Sequence, residues 1–130
     1  MIMKYKALEV RETGKKYERS IIEKDLYDLP DNDTLIKLKY SSLNYKDALS
    51  ASGNKGVTRT YPHTPGIDGA GTIEETSGKR FKKGDEVIVT GYDMGMNTFG
   101  GFGEYIRVPQ DWIVKKPENL SLFIFNSFLK

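Results

Sequence analysis

Thirteen glycines and five prolines interrupt this chain of 130 residues, and the apolar runs left between them are the length of strands. Ile36, Leu38 and Tyr40 alternate with Lys37 and Lys39, the period-two pattern of a strand with one buried face. Val87, Ile88 and Val89 form a β-branched run after the turn at Lys83-Gly84-Asp85. Tyr105, Ile106 and Val108 predict another strand, and Trp112, Ile113 and Val114 one more before Pro117. Tyr5 to Val10 and Tyr17 to Ile22 are weaker candidates, joined by a polar turn at Glu12 to Lys15. One short helix is predicted from Tyr45 to Ala51, with Asn44 as its N-cap and Gly53 as its C-terminal stop. Further turns are signalled at Pro30-Asp31-Asn32, Pro65-Gly66 and Ser77-Gly78. Many short strands with frequent turns predict a mainly β domain with short helices, a barrel or sandwich, and not an alternating strand–helix array.

The length suits one domain, since domains typically run to ~100–150 residues. Twenty basic and eighteen acidic side chains leave a net charge of +2, and they are interspersed. No basic stripe points to nucleic acid as a partner, and no polybasic block points to a membrane surface. Cysteine is absent, which excludes disulfides, thiol nucleophiles and Cys-based zinc sites and suits a reducing compartment. Met1 to Val10 carries Lys4, Lys6 and Glu9 where a signal peptide has an apolar core. No apolar run approaches the ~20 residues that span a bilayer. The expectation is a soluble, cytoplasmic protein.

A dinucleotide fingerprint is missing. After Gly69-Ala70-Gly71 the third glycine would fall at Glu74, and after Gly101-Phe102-Gly103 at Ile106. Neither pair precedes a helix whose N-terminus would hold a pyrophosphate. No Rossmann unit is therefore expected in this chain.

Three segments follow one another in a fixed order. The first is Tyr40-Ser41-Ser42-Leu43-Asn44-Tyr45-Lys46-Asp47-Ala48-Leu49, and the second is Pro65-Gly66-Ile67-Asp68-Gly69-Ala70-Gly71-Thr72-Ile73. The third runs Phe81-Lys82-Lys83-Gly84-Asp85-Glu86-Val87, then Gly100-Gly101-Phe102-Gly103-Glu104-Tyr105, and on to Trp112-Ile113-Val114 and Pro117. Over residues 3 to about 121, their order and spacing resemble the N-terminal, GroES-like domain of medium-chain dehydrogenases/reductases. The wording Ser-Ser-Leu-Asn-Tyr-Lys-Asp-Ala-Leu with Gly-Ile-Asp is similar to the zinc-independent quinone oxidoreductase and acryloyl-CoA reductase branch. Each motif alone is weak, and three in register are strong. The resemblance implies a GroES-like, partly open β-barrel over residues 1–121.

It also implies an activity. In zinc-dependent relatives a Cys takes the place of Asn44 and a His-Glu pair that of Ile67-Asp68. Catalytic zinc needs three protein ligands and an open position, and here an amide and an aliphatic side chain stand instead. The resemblance therefore implies no zinc, NADPH as cofactor, and hydride transfer to a quinone or an α,β-unsaturated acyl-CoA. Asn44 and Tyr45 would be the catalytic and cofactor-contacting residues, beside the nicotinamide and the reacting carbonyl, where an amide and a phenol can hydrogen-bond. The plainer alternative is that Asn44 only caps the helix and Tyr45 packs in the core. Full-length relatives are expected to be homodimers.

Other residues admit two readings. Gly66, Gly69 and Gly71 mark a tight barrel corner on the residue chemistry alone, or room for a cofactor ring if the resemblance is followed. His63, the only histidine, is expected to be a solvated side chain in a Pro-His-Thr-Pro turn. Lys46 and Asp47 are expected as an exposed ion pair or first-turn charges. Asp68 is expected to be buried and structural, partnered by Lys46 or a backbone amide. The loop Gly91 to Gly101 is long and carries Tyr92, Asn97 and Phe99; the resemblance implies that it borders the substrate cleft, and the plainer reading is a flexible surface excursion.

Relatives of this kind continue past the equivalent of Leu122 into a linking helix and a Rossmann domain. Residues 122–130 here read as an apolar tail without an obvious partner, so the chain is expected to be truncated and inactive alone. A rival expectation is a co-chaperonin-like barrel with residues 91–103 as its mobile loop, or a non-catalytic binding module.

Overall fold

The computed structural model describes residues 4–123. β1 (Lys4–Thr13) and β2 (Lys16–Asp25) form an antiparallel hairpin whose register runs from Lys4 opposite Asp25 to Thr13 opposite Lys16. Both strands exceed the sequence expectation. β2 is almost wholly exposed, so its ladder is continued by backbone bonds where no apolar alternation signals it. A 3-10 turn at Leu26–Asp28 leads to β3 (Thr34–Tyr40) and then to α1 (Tyr45–Ala51). β4 (Asp68–Thr76), β5 (Glu86–Thr90), β6 (Tyr105–Val108) and β7 (Ile113–Lys115) follow. The expected helix bounds are those observed. Trp112 differs, lying in a 3-10 turn at Gln110–Trp112 just ahead of β7.

The later strands make one antiparallel sheet in the order β6-β3-β4-β5-β7. It is open, with β6 and β7 each paired along one edge. The hairpin leans on it through short bridges. The Leu8 N–H donates to the Phe102 carbonyl at 2.8 Å, and the Glu104 N–H to that of Lys6 at 3.0 Å. Ile36, Ile73, Val87, Val89, Ile106, Val108 and Ile113 fill the sheet's inner face together with Met94 from the loop before β6. A second cluster of Tyr5, Ala7, Leu26, Leu29, Leu35 and Tyr105 fastens the hairpin. Among the described residues, no helix is long and apolar enough to cross a membrane.

Two expectations change at this level, and one pair of readings is decided. His63 is not solvated: it is only 1% exposed, because its backbone pairs with Val10 of β1 and draws the turn inward. Its Nε2 lies 2.9 Å from the Gly95 carbonyl, and since a carbonyl only accepts, the neutral ring carries its proton on Nε2. In the glycine-rich stretch the chain's own backbone takes the space at Gly66 and Gly71, and the Leu38 side chain takes it at Gly69. Gly66 has φ +116°, and a Cβ there would stand 2.5 Å from the Gly101 nitrogen and 2.7 Å from that of Phe102. At Gly71 a Cβ would overlap the Lys37 carbonyl oxygen. The loop from 91 to 103 is thus packed against the 66–68 turn, with Met94 fully buried. At the C-terminal end, Leu122 packs on Ala70 and Ile88, and the Phe123 ring meets Tyr40 edge-on at 5.4 Å. The start of the apolar tail therefore has partners, while residues 124–130 lie outside the described residues.

Candidate functional site

The segment from β3 to α1 is short, and its residues are held by two carboxylates. Asn44 stands at the N-cap of α1 with extended backbone, φ −131° and ψ 157°. The first turn of a helix leaves N–H groups without intrahelical partners, and here an acid from within the turn reaches back. Asp47 Oδ2 accepts from the Asn44 N–H at 2.9 Å, while its Oδ1 accepts from the Ile67 N–H at 3.0 Å. One side chain thus staples the start of α1 to the chain entering β4. Asp68 makes the reciprocal link from β4. It accepts from the Ser42 N–H at 3.0 Å, from the Ser42 hydroxyl, and from Asn44 Nδ2 at 3.1 Å. Asn44 Nδ2 also lies 3.3 Å from Ser42 Oγ and 3.5 Å from Asp47 Oδ2.

Asp47 and Asp68 are 2% and 4% exposed. Burial pushes the Asp47 carboxyl above the usual carboxylate range, against the N–H donors of Asn44 and Ile67, which favour the charged form. A buried carboxylate is tolerated only where donors replace its water. The result is a rigid polar floor. Above it Leu43 and Tyr45 project into solvent, 83% and 80% exposed. The alternative that Tyr45 packs in the core is thereby overturned, whereas Asn44 does occupy the N-cap and joins the carboxylate network as well.

Lys46 does not pair with Asp47. Neighbouring helix residues point in different directions, so Asp47 turns inward and Lys46 outward, its Nζ 4.0 Å from Met96 Sδ. Nor does Lys46 reach Asp68, whose partners are Ser42 and Asn44. The Met96 contact is where the loop from 91 to 101 meets α1. The three loop candidates are spread along it. Tyr92 stacks on Trp112, with centroids 5.4 Å apart and planes 8° from parallel. Asn97 Oδ1 accepts from the Arg59 N–H at 2.9 Å. Phe99 packs inward, with Lys24 Nζ 3.9 Å from its ring centre and His63 beside it. Before the helix, Ser41 lines a groove of about 270 Å³ with Lys6, Leu38, Tyr40 and Phe102.

Ser42 and Asp47 are the site residues that the sequence reading missed. Asp47 had a signal, the Asn44-x-x-Asp47 spacing by which an acid at the third helical position reaches back to the N-cap. Ser42 had none. Among the described residues, no group of three His, Cys, Asp or Glu is placed to hold a metal ion. The carboxylates around Asn44 accept from N–H and O–H groups, and position 67 carries an aliphatic side chain.

Comparison with known proteins adds to this geometry. The family model of the alcohol dehydrogenase GroES-like domain matches residues 30–118. YhfP of Bacillus subtilis, provisionally designated a quinone oxidoreductase, is 48% identical over 95 residues, covering 73% of this chain and 29% of that protein. The acrylyl-CoA reductase AcuI of Ruegeria pomeroyi is 40% identical over 109 residues, covering 84% of this chain and 33% of that one. The yhdH oxidoreductase of Salmonella enterica, solved in complex with NADP, superposes with a TM-score of 0.87 at 39% identity, over 90% of this chain and 36% of that one. Bacillus subtilis yhfP with NAD bound gives 0.88 at 40% identity, over 93% and 37%. The chain spans about a third of the length of the curated relatives it matches.

Proposed function

This chain belongs to the alcohol dehydrogenase GroES-like domain family, and from that premise we propose that it is the substrate-side domain of an NADPH-dependent, zinc-independent reductase acting on quinones or α,β-unsaturated acyl-CoA thioesters. The observation that carries this reading is the floor formed by Ser42, Asn44, Asp47 and Asp68 beneath an exposed Tyr45. Such a floor fixes polar groups before a ligand arrives, the condition under which positioning and polarisation accelerate a reaction. A nicotinamide, when bound, supplies the hydride. Tyr45 offers its O–H to the carbonyl oxygen of the acceptor, and Leu43 an apolar surface beside it. The groove at Ser41 gives room for part of the substrate, its volume falling just below the ~300–1,000 Å³ typical of small-molecule sites. The loop from 91 to 101 borders the cleft where Met96 meets Lys46, with Asn97 next along the chain and Tyr92 and Phe99 anchoring its two ends.

Residues 4–123 contain no glycine turn ahead of a helix that would hold a pyrophosphate, since Gly69 and Gly71 lie inside β4. The chain by itself is therefore expected to bind NADPH more weakly than micromolar, as read by fluorescence titration. The decisive experiment joins this chain to the remainder of YhfP and follows NADPH oxidation with a quinone and with acryloyl-CoA side by side. Oxidation with at least one acceptor is expected. A folded, NADPH-binding chimera that turns over neither would overturn the proposal.

A further inference from the structure

The two ends of the Asn44 amide differ in chemistry: nitrogen donates and oxygen accepts. Its surroundings decide which end turns inward. Nδ2 lies 3.1 Å from Asp68 Oδ2, 3.3 Å from Ser42 Oγ and 3.5 Å from Asp47 Oδ2. The Ser42 hydroxyl donates its hydrogen to Asp68, so toward Asn44 it can only accept. Every atom facing the amide from this side is thus an acceptor. With the amide reversed, its oxygen would face two buried carboxylates with no hydrogen between them. Asp68 cannot swing away, because the Ser42 N–H holds its other oxygen at 3.0 Å. Asp68 Oδ2 and Ser42 Oγ, hydrogen-bonded to each other, and Asp47 Oδ2 are the acceptors available to the two N–H groups of the amide. The oxygen is left on the side of the α1 N-terminus. With two lone pairs it can cap the helix and still accept from outside.

We propose that Asp68 and Ser42 are positioning residues that fix Asn44 as an acceptor, so that it meets an N–H or O–H donor of the cofactor or substrate and leaves the reacting carbonyl to Tyr45. This rests on the function proposed above, and it sharpens selectivity. A carboxamide or hydroxyl is held by Asn44, whereas a quinone or thioester oxygen is turned away from it.

The test is nuclear magnetic resonance of the isotope-labelled chain, read at the Asn44 side-chain NH2. In the free wild-type chain these signals are expected to exchange with water about tenfold or more slowly than those of exposed Asn54. They should also show a scalar coupling across the hydrogen bond to the Asp68 carboxylate carbon. Asp68→Asn puts a second NH2 against the first, so the Asn44 amide should reverse, lose the coupling and exchange at the Asn54 rate. Ser42→Ala removes one acceptor from the amide and keeps Asp68, so the coupling should stay while exchange quickens; with the wild type it decides the matter if Asp68→Asn does not fold, and unchanged protection in it removes Ser42 from the proposal. Wild-type exchange at the Asn54 rate, or protection that survives Asp68→Asn, overturns the proposal. In the chimera with YhfP, added NADPH should move the Asn44 signals while the coupling persists; its loss on binding would mean that the amide has turned to donate, and overturns the proposal too. Coupling in the free chain with no NADPH shift at Asn44 or Tyr45 in a chimera that binds NADPH supports the fixed amide and overturns the function proposed above instead.

Discussion

Asp47 is a single side chain that serves two backbone segments, and its removal should be felt twice. Asp47→Ala leaves the Asn44 and Ile67 N–H groups without their acceptor, and each part-buried orphan costs about 1 kcal/mol, the low end of the penalty for a buried one. We expect the urea midpoint of Asp47→Ala to fall accordingly, and Asp47→Asn, which keeps one acceptor oxygen, to lose roughly half as much. Tyr45 should behave in the opposite way. Its ring is exposed, so Tyr45→Phe should leave stability within about 0.5 kcal/mol. In the chimera with YhfP the same change should slow NADPH oxidation by about 10²-fold or more, the scale of a lost proton donor. An unaltered rate would remove Tyr45 from the chemistry. The contrast marks what is legible at this scale. Asn44 and Tyr45 stand out as an N-cap and a helix start in the chain itself, whereas the inward turn of Asp47 depends on Ile67, twenty residues away.

At the level of elements, two glycines with positive φ separate conformation from space. Gly14, at φ +67° in the β1–β2 turn, has nothing within 4 Å of where a Cβ would lie. Gly14→Ala should therefore cost only the left-handed penalty of about 1–2 kcal/mol. Gly66, at φ +116°, has the Gly101 and Phe102 backbone against that position. Gly66→Ala should cost more than Gly14→Ala by roughly 1–3 kcal/mol, the scale of overpacking. Equal shifts in denaturation midpoint for the two variants would show that the 66–68 turn yields to the loop. The polar turn between β1 and β2 was readable from local chemistry. The contact between Gly66 and Gly101 was not, because no local pattern records that two glycines 35 positions apart lie back to back.

For the molecule as a whole, the buried histidine links fold to pH. Burial holds the His63 ring below its ordinary pKa, with Lys24 acting in the same sense and the Gly95 carbonyl and Asp93 against it. The unfolded chain takes up a proton near pH ~6.5, before the folded chain does. Stability is therefore full above that pH and declines as pH falls toward the depressed folded value. We expect unfolding free energy to drop between about pH 7 and pH 5, and the slope to flatten in His63→Gln. An equal slope in that variant would place the acid sensitivity elsewhere. The same packing bears on the rival co-chaperonin reading: the loop offered as mobile puts Met94 into the main core and holds His63 through Gly95.

Local chemistry determined the middles of most strands, the helix from Tyr45 to Ala51, the turns and the family, because alternation, caps and glycine placement are written within a few residues of one another. The three motifs in register marked Asn44 and Tyr45 as candidates, whose role the chimera tests. Only the tertiary structure decided that His63 is buried, that the glycines make room for backbone, and that Asp47 and Asp68 lock Asn44 between them. Those outcomes depend on pairings across the chain, Val10 with His63, Gly66 with Gly101, Ser42 with Asp68. Burial and hydrogen-bond satisfaction arise only where distant segments meet.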